Sequence, residues 1–234
     1  MTEPVNVTIE DGVAVVRIDD GKANAVSHAV IDAIHAALDR AEAEASAVAI
    51  IGREGKFSAG FDLSVMTQGA DATRGLVGDG GRLMVRVFLH PQPTVAAVTG
   101  HALAAGALLC LSCDTRIGSA DLPAKIGLNE TAIGMGLPWY GVRLGEARLS
   151  MRHLQRSVLQ AEIYDMAGAV DAGYLDELVA GDQVETAAIE RARQLGQLPG
   201  SAYKFTKRRL RGAMAEEILA GIDADMADMV PPTP

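Results

Sequence analysis

The chain has 234 residues, and 21 Lys and Arg against 30 Asp and Glu leave a formal charge of -9, which argues against a general nucleic-acid binder. Hydrophobic residues make up 49%, enough for a sizeable core, yet no apolar run reaches the ~18–20 residues that a membrane helix needs. Two cysteines are no disulfide framework and Met1-Thr2-Glu3-Pro4 is no basic-then-apolar leader, so a cytoplasmic protein without nucleic-acid or membrane partners is expected.

The first residues read as a β-meander. Val5, Val7 and Ile9 alternate, Asp11-Gly12 makes a turn, and Val13 to Ile18 follows as a strand. From Ser27 to about Glu44 the spacing predicts a helix, with Val30, Ile31, Ile34, Ala37, Leu38 and Ala41 on one face and Ser27 as its N-cap. Ala47 to Ile51 suits a buried strand, and Gly55 to Asp62 a turn feeding another helix-like stretch. Residues 67 to 81, rich in Gly, Asp and Thr, read as a mobile surface loop, with Gly81 to Leu89 helical after it. Pro93 to Val98 is a third buried strand, Ala107 to Cys113 a core helix, and Arg116 to Gly118 starts another strand. The pattern is mostly helical from Arg148 to Asp228, and Pro231-Pro232-Thr233-Pro234 is expected to be a disordered end. This order implies an α/β core over residues 1–190, a helical extension over 191–230 and a tail over 231–234.

Several catalytic signatures fail. Ser58 lacks the G-x-S-x-G of a nucleophile elbow, because Gly55 stands one position too far upstream. Cys110 and Cys113 form a C-x-x-C inside an apolar helix, which reads as two buried thiols. His28, His35, His90, His101 and His153 are scattered, so no metal site is expected. There is no phosphate-cradling G-x-x-x-x-G-K and no G-x-G-x-x-G after a strand, so no nucleotide redox cofactor is expected either.

Two strand-to-helix turns remain, Ser58-Ala59-Gly60-Phe61-Asp62 and Ala104-Ala105-Gly106-Ala107. Small residues let a substrate approach the backbone, and the first amides of a helix can stabilise a developing negative oxygen. Downstream, Glu130 lies among Ile126, Leu128, Ala132, Ile133 and Met135. A carboxylate in such surroundings is either an exposed loop residue or a desolvated group tuned toward acid–base work near neutral pH.

Together these residues resemble the crotonase (enoyl-CoA hydratase/isomerase) superfamily over nearly the whole chain. Three ordered motifs carry the resemblance: Phe57 to Leu63, Pro93 to Gly106 closed by Cys113-Asp114, and Asn129-Glu130 with Gly134 and Pro138. It implies a spiral of ββα repeats with a C-terminal helical trimerisation region, a trimer or hexamer, and an acyl-CoA thioester substrate. Coenzyme A would enter as part of that substrate, with no separate cofactor. It places the Phe61 and Ala105 N–H groups in the oxyanion hole and Glu130 as the catalytic base. Lys22, Ala23, Ser58, Ala59, Leu63, Leu108, Lys204 and Lys207 take substrate-binding positions, with Arg208 and Arg209 completing a basic cluster. Asp62, Asp114 and His101 are expected in structural hydrogen bonds, and Trp139 in the acyl pocket or the core.

Leu108 is a departure. Hydratases of this superfamily that use two glutamates carry one at this position and the other at that of Glu130. The stretch Ile126 to Thr131, with Pro138-Trp139, is most similar to the one-glutamate Δ3,Δ2-enoyl-CoA isomerases. An enoyl-CoA hydratase and a non-catalytic acyl-CoA-binding protein are the alternatives.

Overall fold

The structure, a computed structural model, describes residues 3–229, so the expected tail at Pro231 to Pro234 lies outside it. Strands β1 (Val5–Glu10) and β2 (Val13–Ile18) pair antiparallel across Asp11 and Gly12, whose φ values of 47° and 81° suit a tight Asp-Gly hairpin turn. Helix α1 (His28–Glu44) begins where expected, the Ser27 hydroxyl accepting from the Val30 N–H, and its predicted apolar face is wholly buried. From there the chain winds in repeats. Strands β3 (Ala47–Ile51) and β4 (Gly55–Ser58) are followed by helices α2 (Leu63–Met66) and α3 (Ala70–Phe88). Strands β5 (Thr94–Val98) and β6 (Gly100–Leu103) precede α4 (Ala105–Ser112), and β7 (Thr115–Ser119) and β8 (Ile126–Gly127) precede α5 (Trp139–Arg148). Helices α6 (Leu154–Val158) and α7 (Met166–Ala172), strand β9 (Glu177–Val179), and helices α8 (Val184–Gly196) and α9 (Gly200–Asp228) complete the order.

In each repeat after the first hairpin, one strand enters a six-stranded sheet, ordered β1-β2-β3-β5-β7-β9, and the next enters a three-stranded sheet, β4-β6-β8. Every pairing beyond β1–β2 is parallel. This is the expected spiral of ββα turns. Strands β3 and β5 are buried at every residue, as interior parallel strands covered on both faces must be. The main core fills one face of the large sheet. On the other, Val184, Ala188 and Ala192 of α8 lie against Val15, Ala49, Val95 and Ala97. Helix α8 thus packs on the sheet on both sides of the expected boundary at residue 190, and Ala215, Ile218 and Ile222 of α9 enter the main core. Among the described residues, no helix is long and apolar enough to cross a membrane.

The expected loop at 67–81 is corrected: α3 starts at Ala70. Its glycines mark close packing instead of flexibility. A Cβ at Gly80 would meet the Phe61 ring at 2.4 Å, and one at Gly81 the Tyr140 ring at 2.7 Å. The helix accepts the low propensity of glycine, about 1 kcal/mol per residue, because tertiary contacts need the room.

Helix α9 is fastened at the end of β5 and β7 remote from their carboxyl termini. There the buried Asp114 carboxylate accepts from Lys207 Nζ (2.6 Å), Arg211 Nη1 (2.5 Å), the Tyr203 hydroxyl (2.8 Å) and the Thr94 N–H (2.9 Å). Burial by itself would raise the Asp114 pKa, but the Lys207 and Arg211 charges hold it below the ordinary carboxylate value. Removing one partner of such a cluster strands the others. Asp114→Asn should therefore cost about 3–5 kcal/mol in denaturant unfolding; a loss under about 1 kcal/mol would place the hold on α9 in its apolar face.

Candidate active site

Parallel pairing sends β4, β6 and β8 out of their sheet on the same side. The register aligns Ser58 with Ala102, Ala102 with Ile126, and Leu103 with Gly127. The segments leaving these strands consequently meet, and ligand sites in parallel sheets form at such carboxyl ends. They enclose a cavity of about 200 Å³, lined by Ala59, Phe61, Leu63 and Met66 from the first segment, Ala104 from the second, and Asn129, Glu130, Ile133 and Met135 from the third.

Two backbone turns face each other across its floor. Gly60 adopts φ 105°, and a Cβ there would sit 3.1 Å from the Ala104 Cβ and 3.7 Å from the Ala105 nitrogen. Ala104 adopts φ 49° and ψ -123°, a strained conformation for a residue with a side chain, costing about 1–3 kcal/mol. Gly106 has no alternative either, since a Cβ would lie 2.3 Å from the Ser58 carbonyl oxygen. The Gly60 carbonyl accepts from the Val26 N–H (2.8 Å) and the Asp62 N–H donates to the Val26 carbonyl (3.2 Å). In an extended segment alternate amides point to opposite sides, so this pairing turns the Phe61 N–H away from Val26. Neither the Phe61 nor the Ala105 N–H donates to an acceptor among the described residues. Two free donors on touching turns can share one oxygen.

Glu130 comes third. Its carbonyl accepts from the Ile133 N–H (3.1 Å) and the Met135 N–H (3.0 Å), folding Thr131–Ile133 into a short 3-10 turn. The residue is 3% exposed, and its Oε2 has no hydrogen-bond partner. Burial pushes the carboxyl pKa up to about 7, against only a weaker opposing pull from its own backbone amide. Such a group can take and return a proton near neutral pH. Among the described residues, it is the only titratable one lining the cavity.

The other expected site residues divide. Ala59 and Leu63 line the cavity, Leu63 at its open side. Lys22 is exposed and Ala23 half-buried, and the Ala23 carbonyl accepts from the Ala59 N–H, which brings their loop beside the first turn. Lys204 is exposed on α9. Ser58 is corrected: it is fully buried, its hydroxyl accepts from the Gly60 N–H, and it supports the turn instead of lining the cavity. Leu108 is corrected likewise, packing inside the core near Leu137 and the backbone at Gly141. Lys207 is 6% exposed and gives its ammonium protons to Asp114, the His90 carbonyl and the Gln92 carbonyl, leaving none for a phosphate. Trp139 is neither in the pocket nor in the core. It stands 38% exposed at the start of α5, its N–H held by Asp225 and its ring 5.4 Å from the Arg143 guanidinium.

The structural expectations for the motif residues hold. Asp62 caps α2 by accepting from the Ser64 N–H, and the His101 Nδ1 accepts from the Lys125 N–H. Both cysteines are buried, and burial raises their thiols, Cys110 to about 12. Met66, Ala104, Asn129, Ile133 and Met135 complete the lining and were not among the expected site residues. Ala104 and Asn129 lay inside quoted motifs and Ile133 and Met135 among the apolar neighbours of Glu130, but the positive φ of Ala104 is invisible in an Ala-Ala-Gly sequence.

A family model for enoyl-CoA hydratase/isomerase matches residues 8–230. The chain belongs to the enoyl-CoA hydratase/isomerase family. A solved family protein from Pseudomonas syringae superposes with a TM-score of 0.94 at 41% identity, covering 97% of this chain and 98% of that one. The human mitochondrial delta3-delta2-enoyl-CoA isomerase superposes at 0.90 with 29% identity, over 96% and 90% of the two chains. A probable enoyl-CoA hydratase of Bacillus subtilis is 30% identical over 217 residues, 87% of this chain and 76% of that protein. The chain is thus similar to isomerases and hydratases alike.

Isolation of Glu130 has a thermodynamic consequence. Its folded pKa, about 7, is raised above the ordinary glutamate value of 4.5, so its contribution to stability is complete below about pH 4.5 and is lost as pH rises through 7. Glu130→Gln should accordingly unfold at higher denaturant than the parent at pH 8, by roughly 1–3 kcal/mol. At pH 4 that gain should vanish; an equal gain at both pH values would mean that the carboxyl is not desolvated.

Proposed function

We propose that this enzyme is an enoyl-CoA isomerase, moving the double bond of a 3-enoyl-CoA to the 2-position. The observation that carries the reading is the solitary, buried Glu130 carboxyl in an otherwise non-ionisable cavity beside two uncommitted amides. Glu130 as carboxylate would take a proton from C2. The C2–H electrons would form the C1=C2 bond of a dienolate, with negative charge on the thioester oxygen held by the Phe61 and Ala105 N–H groups. The same carboxyl would then give its proton to C4. The C3=C4 pair forms the new C4–H bond, the oxygen charge returns, and C2=C3 is left as product. No atom is gained or lost, and no water is consumed. An apolar wall of Met66, Ile133 and Met135 favours this internal transfer, because it keeps competing water from the dienolate.

The position at which two-glutamate hydratases carry their other glutamate is held here by Leu108, a core side chain that can neither hold nor activate a water. Outside the cavity, exposed Lys22 and Lys56 beside the first turn are suited to the phosphates of coenzyme A, and Lys204 could meet a phosphate held by a neighbouring subunit. A trimer or hexamer belongs to the same proposal. It is supported by Phe205 and Leu210, large apolar side chains left exposed on α9.

One preparation assayed with both 3-enoyl-CoA and 2-enoyl-CoA tests the reading. Isomerisation should exceed hydration at matched concentrations, and the reverse order would overturn it. Glu130→Gln should lower kcat by about 100- to 10,000-fold while acyl-CoA still binds; normal binding with no change in rate would indicate a non-catalytic acyl-CoA-binding protein. Because the free enzyme must start as the carboxylate, kcat/KM should rise with pH and level off above about 7. A plateau already reached at pH 5 would place the base in an ordinary, solvated environment.

A further inference from the structure

Strand β8 is two residues long, yet it delivers the catalytic loop. One edge is paired with β6. The other is closed by Tyr164: the Ile126 N–H donates to the Tyr164 carbonyl (3.0 Å) and the Tyr164 N–H to the Ile126 carbonyl (2.9 Å). The fit is tight, since a Cβ on Gly127 would strike Ile163 Cδ1 at 2.7 Å and the Glu162 carbonyl at 2.8 Å.

Behind this wall runs a line of polar groups that the chemistry above does not use. The Tyr164 hydroxyl, buried, lies 3.3 Å from His153 Nδ1 and accepts from Ser157 Oγ at 3.2 Å. His153 Nε2 lies 3.1 Å from Asp171 Oδ2, and Arg152 grips both oxygens of the same carboxylate at 2.6 and 2.7 Å. The Tyr164 ring is tilted against both His153 and Tyr174, at centroid distances of 5.6 and 5.8 Å. The Tyr174 hydroxyl is buried without a hydrogen-bond partner, so Tyr164 alone joins the line to β8 by hydrogen bonds. The line thus starts at Asp171, 59% exposed, and ends against the strand that carries the acid.

We propose that His153, Tyr164 and Asp171 are positioning residues for Glu130, acting through β8. A buried polar line of this kind contributes less to stability than apolar packing of the same volume would, whereas it restricts orientation in a way that apolar contacts do not. Orientation matters here, since one carboxyl must reach both C2 and C4, and a misplacement of about 1 Å can cost 100-fold. This inference rests on Glu130 being the base of the proposed isomerisation.

The test compares Tyr164→Phe, His153→Phe, His153→Gln and Asp171→Asn with the parent, using 3-enoyl-CoA and recording kcat, KM and Tm for each. Tyr164→Phe and His153→Phe should lower kcat by about tenfold with KM within twofold. His153→Gln, which keeps a polar group at the ring position, should recover part of the loss. If Tyr164→Phe does not fold, Asp171→Asn at the exposed end supplies the same comparison with an expected loss of about threefold. A fall in Tm with kcat unchanged would overturn the proposal and leave the line a purely structural one. Should Glu130→Gln itself retain full activity, the reaction assignment fails instead, whatever these variants do.

Discussion

The close approach of Gly60 to Ala104 governs the site. Two amides can serve one oxygen only if the turns that carry them touch, and here a Cβ on Gly60 would press on the Ala104 Cβ at 3.1 Å while its φ of 105° already favours glycine. Strand pairing enforces the contact. A Cβ on Gly100 would lie 1.8 Å from the Gly55 carbonyl carbon, so β4 and β6 start in register with their backbones pressed together. The strained φ of Ala104 is held by what surrounds it: its N–H donates to the Gly127 carbonyl and its carbonyl accepts from Leu108. Local strain is thereby offset by hydrogen bonds to the two flanking elements.

Legibility from sequence followed the range of the interaction. Helix α1 was readable because its cap and its apolar face are local, Ser27 three residues from the amide it accepts from and the face repeating every turn. The donor turns and Glu130 were readable because each is a contiguous motif. The start of α3 was not, because Gly75, Gly78, Gly80 and Gly81 have low helix propensity, and only Phe61, Tyr140 and Met226, distant in sequence, explain three of them. Lys207 resembled a surface charge for the same reason. Its partner Asp114 is 93 residues away, and nothing near position 207 announces it. Leu108 sits on α4, a helix buried at every residue, and Trp139 opens α5 on the outside, placements that no local pattern in the sequence announces. The line from Asp171 to Tyr164 was hidden by scatter, since its members become neighbours only when α6 and α7 fold back on β8.

Two buried carboxyls show how the same fold produces opposite chemistry. Asp114 and Glu130 are both nearly sealed from solvent. At Asp114, two cations and a hydroxyl from α9, with an amide from β5, offset the desolvation, and the acid stays ionised. At Glu130 nothing offsets it, and the proton affinity rises into the neutral range. The first arrangement ties α9 to the sheet; the second gives up stability for a group that can exchange a proton.

That isolation is also what the proposed isomerisation rests on. A second carboxylate beside Glu130 would raise its proton affinity further by like-charge repulsion, and relief would come from water drawn in between the two. Hydration can use such a water, whereas a dienolate waiting for its proton is exposed to it. In the proposed isomerisation, a cavity with one acid, lined by Met66, Ile133 and Met135 and flanked by two uncommitted backbone amides, would serve proton transfer within a single substrate. The same cavity holds nothing that would orient a water for attack at C3 except the Asn129 amide, whose buried Oδ1 has no partner. An amide can hold a water but cannot deprotonate it, so hydration too would pass through Glu130, which would take a proton from the water and return it to C2.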